Sequence, residues 1–239
     1  MRSFAVSEAV KTYRHIFFDL DRTLWDFEQN CAETLHQVIT EFSIDKIKDQ
    51  EKEFIRAYNY FNDHLWDHYR RGKIKKSLLK HERFRLLFNH FGINNKELVQ
   101  KVSRFYLNNC PLKSALMPNA KEIIRYLYDN YTLCVISNGF YDAQLTKMKN
   151  SGISPYFKKL FTSDRIGYAK PHKGIYEYSV SAVHATKEAS IMIGDDPRND
   201  IDGAKNAGID QVYYKQKKDE NEINATFIIE SLLELKDIL

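Results

Sequence analysis

Two acidic clusters stand out by what surrounds them. The first lies in Phe17-Phe18-Asp19-Leu20-Asp21-Arg22-Thr23-Leu24, where carboxylates two residues apart project to the same side of an extended chain. The second is Gly194-Asp195-Asp196-Pro197-Arg198-Asn199-Asp200. Each follows a short apolar run rich in β-branched and aromatic residues, the pattern of a strand buried on both faces. Like charges this close are costly to bury unless a cation or protons compensate them. Oxygen-only donors favour a hard cation, so the two clusters together predict a Mg²⁺ site. Either cluster alone is also what a turn or a helix cap would use.

Two further pieces carry hydroxyl and positive charge. Val135-Ile136-Ser137-Asn138-Gly139 ends another apolar run, and a serine hydroxyl with loose backbone N–H groups can hold a phosphate oxygen there. Tyr168-Ala169-Lys170-Pro171-His172 places a lysine just before a predicted helix, with Pro171 near the helix start. A fixed ammonium beside aspartates would offset their charge and hold phosphate.

The elements that must position these groups follow from periodicity. Strands are predicted at Tyr13–Leu20, Thr132–Ser137, Ala189–Gly194, Gln211–Tyr214 and Ala225–Ile229, with a short one at Lys159–Thr162. Helical spacing separates them: Ile123, Ile124, Leu127 and Tyr128; then Ile175, Tyr178, Ala182 and Val183; then Ile201, Ala204 and Ala207, with Gly208 as the stop. Strands alternating with helices predict an α/β fold, a Rossmann-like parallel sheet flanked by helices. Residues 26–115 differ, having no strand run. Four helical faces follow one another there, begun by Cys31, Phe54, Phe84 and Leu98, and Gly72 and Gly92 sit where helices would stop. The reading is an all-helical insert at 26–115 within a core built from 1–25 and 116–239.

Order and spacing of Asp19-Leu20-Asp21-Arg22-Thr23, Ser137-Asn138-Gly139, Lys170-Pro171 and Gly194-Asp195-Asp196 to Asp200 resemble the four motifs of the haloacid dehalogenase superfamily, over about residues 13 to 229. The resemblance implies that the helical insert is the superfamily's cap. It implies that Asp19 is the nucleophile that forms an aspartyl-phosphate, and Asp21 the general acid and then base. It implies Mg²⁺ held by Asp19, the Asp21 carbonyl and Asp195, with Asp200 and Asp196 behind them. Ser137, Asn138 and Lys170 would bind phosphate, with Thr23 in the same set and steadying the loop. An Asp at position 21 points to phosphate esters rather than halides. Hydrolysis and phosphomutase chemistry are not separated cleanly, although the Asp195 to Asp200 spacing favours hydrolysis.

A narrower likeness runs through Asp19 to Phe27 with Asn30, and through Leu65-Trp66 to Tyr69, Gly72, Ile74 and Arg83-Phe84. It is to bacterial pyrimidine 5′-nucleotidases and implies UMP, dUMP or dTMP as substrates. Arg22 departs from the pattern, where His or a small residue is expected. Trp25, Phe27, Trp66, Tyr69 and Arg83 are the cap candidates for contact with base or ribose. The alternatives are a sugar-phosphate or phosphoglycolate-type phosphatase and an inactive binding protein; intact Asp19, Asp21, Lys170 and Asp195 speak against the latter.

Composition narrows the partners. Over 239 residues, Lys+Arg 36 against Asp+Glu 32 gives a net +4 that is spread along the chain, not gathered in the stripe a nucleic-acid binder uses. Cys31, Cys110 and Cys134 form no CxxC pair, so neither a zinc site nor a disulfide framework is expected. No apolar run approaches a membrane span, and Met1 to Thr12, read as a loose leader, lacks a signal-peptide core. The expectation is a cytoplasmic monomer or homodimer acting on a small phosphate ester, with no nucleic acid or membrane partner.

Overall fold

The computed structural model describes residues 12–216 and 223–239. The leader reading therefore falls, but for Thr12, outside the described residues. Six strands, β1 His15–Phe18, β2 Thr132–Ser137, β3 Lys159–Thr162, β4 Ser190–Gly194, β5 Asp210–Tyr214 and β6 Phe227–Ile229, form one sheet in the order β3-β2-β1-β4-β5-β6. Every neighbouring pair is parallel. Successive side chains alternate between faces, which explains the unbroken apolar runs. Ile16 and Phe18 enter one core with Ile123, Ile124 and Leu127, while Phe17 enters a second with Ile175, Tyr176 and Val180. β1 stops at Phe18 rather than Leu20, because the Leu20 carbonyl turns to accept from Leu24 and Trp25.

Strand order reverses at β1, which has β2 on one side and β4 on the other. In parallel sheets a crevice opens at such a point, beyond the carboxyl ends of the strands. Both acidic clusters lie there.

Helices α1 Phe27–Glu41, α2 Glu51–Arg70, α3 Lys76–His90 and α4 Lys96–Asn109 fall between β1 and β2 and form a helical cap. Phe54, Tyr58, Phe84, Phe88 and Tyr106 pack at their centre. Asp26 and Asn95 cap α1 and α4 by accepting from Gln29 and Leu98. Gly72 and Gly92 stop α2 and α3 at φ of 69° and 66°, left-handed values that glycine adopts without strain. In the core follow α5 Ala120–Tyr128, α6 Tyr141–Asn150, α7 Ser163–Ile166, α8 Lys173–Ser181 and α9 Gly203–Asn206. Two expected inward positions are corrected. Tyr128 and Tyr178 are exposed, and Tyr176 is the tyrosine that α8 buries. Pro171 lies before the helix, which His172 caps by accepting from Gly174. No helix among the described residues is long and apolar enough to cross a membrane.

The two connections between cap and core run side by side. Asp26 N–H donates to the Ala115 carbonyl at 3.1 Å, and Met117 N–H to the Leu24 carbonyl at 2.9 Å. The fully buried Asn30 amide brackets Ala115, giving to its carbonyl and accepting from its N–H. Trp25 is 0% exposed; its indole N–H donates to the Lys113 carbonyl at 3.1 Å. Trp25 therefore fastens the connections and is not a contact for base or ribose, contrary to the sequence expectation. Trp25→Ala is expected to destabilise the protein by about 3–5 kcal/mol, the range for emptying a buried aromatic site. Denaturant unfolding measures it, and a loss below about 1 kcal/mol would contradict this packing role.

Candidate active site

Asp19 directly follows β1, and its N–H is anchored on the Ile193 carbonyl of β4 at 2.9 Å. Asp195 directly follows β4, and Ser137 ends β2. Lys170 reaches in from the segment between α7 and α8 and is only 2% exposed. Its ammonium uses three donors: to an Asp19 carboxylate oxygen, to Asp200 Oδ1 at 2.6 Å and to the Ile136 carbonyl at 2.9 Å. Burial works against the Lys170 charge, but Asp19 and Asp200 outweigh it and raise its pKa. Burial pushes the Asp19 carboxyl up to about 7, with Lys170 opposing and Asp200 adding to the rise.

One carboxylate oxygen from each of Asp19, Asp195 and Asp200 lies within 4.8 Å of the others. Asp200 has both oxygens engaged, one by Lys170 and one by the Asp196 N–H at 3.1 Å. Its approach requires Gly194, because a Cβ at that position would run into the Asp200 carboxylate. Asp195 has a different lot. It accepts from the Thr23 hydroxyl at 3.1 Å and forms no ion pair among the described residues. Burial, with Asp19 and Asp200 nearby, drives its pKa well above the usual carboxylate range. Asp19 and Asp195 are thus an oxygen-only donor pair short of positive charge, which fits a hard divalent cation such as Mg²⁺.

Several expected site residues contact something other than what was expected. The Thr23 hydroxyl donates to Asp195. The Asn138 side chain holds the Lys170 backbone, accepting from its N–H at 2.8 Å and giving to its carbonyl at 3.0 Å. Asp196 caps the π-helical turn Pro197–Asp202, accepting from the Arg198 and Asn199 N–H groups. Ser137 Oγ accepts from Gly139 N–H at 3.0 Å and from Gln144 at 2.6 Å, which leaves its own proton to donate.

Two residues of this site escaped the sequence reading. Lys147 Nζ binds Asp21 Oδ1 at 2.5 Å, and Gln144 Nε2 binds Asp21 Oδ2 at 2.8 Å. Both are buried on α6, three residues apart and so on one face. That face is polar, so an apolar-periodicity search passes over it; the signal was a helix start after Ser137-Asn138-Gly139. Gly139 leaves room for Gln144, whose side chain a Cβ there would strike.

A cavity of about 190 Å³ connects these groups with the cap. Asp19, Asp21, Ser137, Lys170 and Asp195 line it, as do Phe27, Asn62, Trp66 and Arg83 from the cap. Tyr69 does not line it; it packs edge-on to Phe140, against which Trp66 also lies, ring centres 5.4 Å apart. Ion pairs cross the mouth from cap to core: Asp63 to Arg22 at 3.3 Å, Lys76 to Asp164 at 3.0 Å and Asp67 to Arg198 at 3.9 Å. Arg22, the departure from the expected pattern, also pairs with Glu28 at 2.7 Å and lies over the Phe27 ring.

Residues 16–214 match the family model described as haloacid dehalogenase-like hydrolase. The chain is 31% identical to the pyrimidine 5′-nucleotidase PynA of Streptococcus pneumoniae, over 95% of each chain. It is 26% identical to a glyceraldehyde 3-phosphate phosphatase of Methanothermobacter thermautotrophicus, over 94% of this chain and 98% of that one. Among solved structures, the HAD-hydrolase YfnB of Bacillus subtilis, described as bound to magnesium and showing interdomain movement, superposes with a TM-score of 0.85 at 27% identity, covering 95% of this chain and 99% of that one. With the four motifs gathered at one sheet edge beneath a helical cap, the chain belongs to the haloacid dehalogenase-like hydrolase family.

Proposed function

We propose that this protein hydrolyses phosphomonoesters through an aspartyl-phosphate on Asp19, and that its substrates are pyrimidine nucleoside 5′-monophosphates such as UMP, dUMP and dTMP. The observation that supports the chemistry is the Asp19–Lys170–Asp200 arrangement opening into a cavity shared with the cap. The likeness to PynA along nearly the whole chain supports the substrate class. We take residues 26–115 as the cap, over a core from 1–25 and 116–239.

In this reading Lys170 occupies one Asp19 oxygen and leaves the other, Oδ2, to attack phosphorus. Lys170 also neutralises charge on the incoming phosphoryl group, and Ser137 donates its free proton to a phosphoryl oxygen. Asp21 in its protonated form gives a proton to the departing sugar oxygen, and Lys147 and Gln144 hold the carboxylate left behind. It then takes a proton from water, which attacks the aspartyl-phosphate, releasing inorganic phosphate and restoring the Asp19 carboxylate. Asp19, Asp195 and the Asp21 carbonyl would hold Mg²⁺, which screens the repulsion between a carboxylate and a phosphate dianion. Thr23 fixes the Asp195 carboxylate, and Asp200 fixes Lys170.

The first test is phosphate release with Mg²⁺ from UMP, dUMP, dTMP, AMP, phosphoglycolate and sugar phosphates. Preference for the pyrimidine nucleotides is expected. Activity confined to sugar phosphates would keep the chemistry and discard the nucleotidase reading, a substrate class represented by the archaeal phosphatase relative. Asp19→Asn is expected to lower kcat by at least about 10³-fold with the thermal midpoint retained, and near-normal turnover would remove Asp19 as nucleophile.

Charge linkage gives a second test. Asp19 titrates near 7 when folded and near 4 when unfolded, so folding without metal takes up a proton between those values. Stability of the metal-free protein is therefore expected to fall as pH rises through that window. Mg²⁺ binding needs the ionised carboxylates, so the rise in Tm on adding Mg²⁺ is expected to be larger at pH 8 than at pH 6. Thermal melts with and without Mg²⁺ measure this; a rise that is equal or larger at pH 6 would contradict the site.

A further inference from the structure

The cap side of the cavity holds a cation without a counter-ion. Arg83 of α3 lines the cavity and is 7% exposed, yet it forms no ion pair with a carboxylate among the described residues. Its Nη1 donates to Asn62 Oδ1 at 2.9 Å, while its Nε is buried with no hydrogen-bond partner. The guanidinium lies 5.2 Å from the ring centre of Tyr106 and 5.5 Å from that of Phe84. Aromatic rings attract a cation but accept no strong hydrogen bond from it, so they do not satisfy its N–H groups. The other buried cations of this cavity, Lys170 and Lys147, have each found an aspartate partner within the chain. Arg83 has not.

Its neighbour on α2 is in a similar state. The Asn62 oxygen is taken by Arg83, and the Asn62 amide N–H has one contact, 3.4 Å from Asp63 Oδ1, at the limit of a hydrogen bond. The pair therefore offers mostly donors, with one lone pair left on the Asn62 oxygen, beside the apolar side chains of Leu79 and Leu107. A ligand group that fits is flat, apolar on its faces and rich in carbonyl acceptors at its edge. A sugar hydroxyl fits worse, because it is a weaker acceptor for a guanidinium than a carbonyl and brings a proton of its own. A pyrimidine fits: uracil, thymine and cytosine share the carbonyl at position 2, whereas adenine has no carbonyl.

We infer that Arg83 and Asn62 are the specificity-determining pair of this enzyme, receiving the carbonyl edge of the pyrimidine that leaves with the sugar. This rests on the nucleotidase reading above and names the groups that would make the cap selective. Sites built to hydrogen-bond a substrate group discriminate strongly, because an analogue lacking that group leaves buried donors unpaired.

The test compares UMP with ribose 5-phosphate, which presents the same reacting phosphate without a base. Arg83→Met is expected to lower kcat/KM for UMP by about 30-fold or more while changing it by no more than about 3-fold for ribose 5-phosphate. Arg83→Lys, which keeps the charge and loses the planar fork, is expected to recover little of the UMP activity. AMP is expected to lose far less than UMP in Arg83→Met. Equal losses on UMP and ribose 5-phosphate would assign Arg83 to the phosphate chemistry or the fold and overturn the inference. So would Arg83-dependent turnover of pyrophosphate, which would make the guanidinium a second-phosphate site. If the unaltered enzyme shows no preference for UMP over ribose 5-phosphate, the nucleotidase reading fails and this inference with it. If that preference exists and survives in Arg83→Met, the inference alone fails. Should Arg83→Met not fold, Asn62→Ala is expected to show the same selective loss at smaller size, and a uniform loss there would overturn the pairing.

Discussion

Carboxylates crowded beyond the ends of β1 and β4, with one ammonium between two of them, set the terms for the rest of this molecule. Asp19, Asp195 and Asp200 bring oxygens within 4.8 Å of one another, and Lys170 compensates Asp19 and Asp200 but does not reach Asp195 by any ion pair. Such an arrangement is unfavourable in itself. It persists because a fully parallel sheet fixes the adjacent strand ends and because the Ile136 carbonyl and the Asn138 side chain hold Lys170 in place. In the proposed function the charge imbalance is also the site's capacity: it would draw in a divalent cation and let a carboxylate meet a phosphate.

The cap completes the enclosure. Its two connections are tied by backbone hydrogen bonds, Asn30 and the buried indole of Trp25, so the helices are tethered at a defined hinge. Contacts at the mouth have another character. The ion pairs from Asp63, Lys76 and Asp67 to the core are only partly shielded from solvent and individually weak. A firm tether with weak contacts at the mouth suits a cap that must admit one phosphate ester and release two products. Arg22 illustrates the local adaptation: it sits at a φ of 70° beside the catalytic loop and spends its side chain on Glu28 and Asp63 rather than on the reacting groups.

Much of this was legible in the sequence, for physical reasons. Strands buried on both faces must be continuous in apolar residues, so all six strands could be placed within a few residues. The cap helices could be read from amphipathic faces and from Gly72 and Gly92. The acidic clusters, Ser137 and Lys170 were visible because each closes a strand or opens a helix. What escaped was what periodicity does not encode. The buried face of α6 is polar, which concealed Gln144 and Lys147, and nothing in the sequence sets Asn62 apart from the other polar residues of α2. Trp25 was visible as an aromatic beside the motif, but nothing local distinguishes a ring that meets substrate from one that fastens two connections. Only the packing around Lys113 and Leu116 decides that.

The account stands on Asp19 taking the phosphoryl group. The most direct measurement is an acid quench during turnover of UMP with Mg²⁺, followed by peptide mass spectrometry. The account predicts a phosphoryl adduct on the peptide containing Asp19, stable to acid, discharged by hydroxylamine and absent from the Asp19→Asn protein. Turnover with no adduct on that peptide, or with the adduct on another residue, would contradict it.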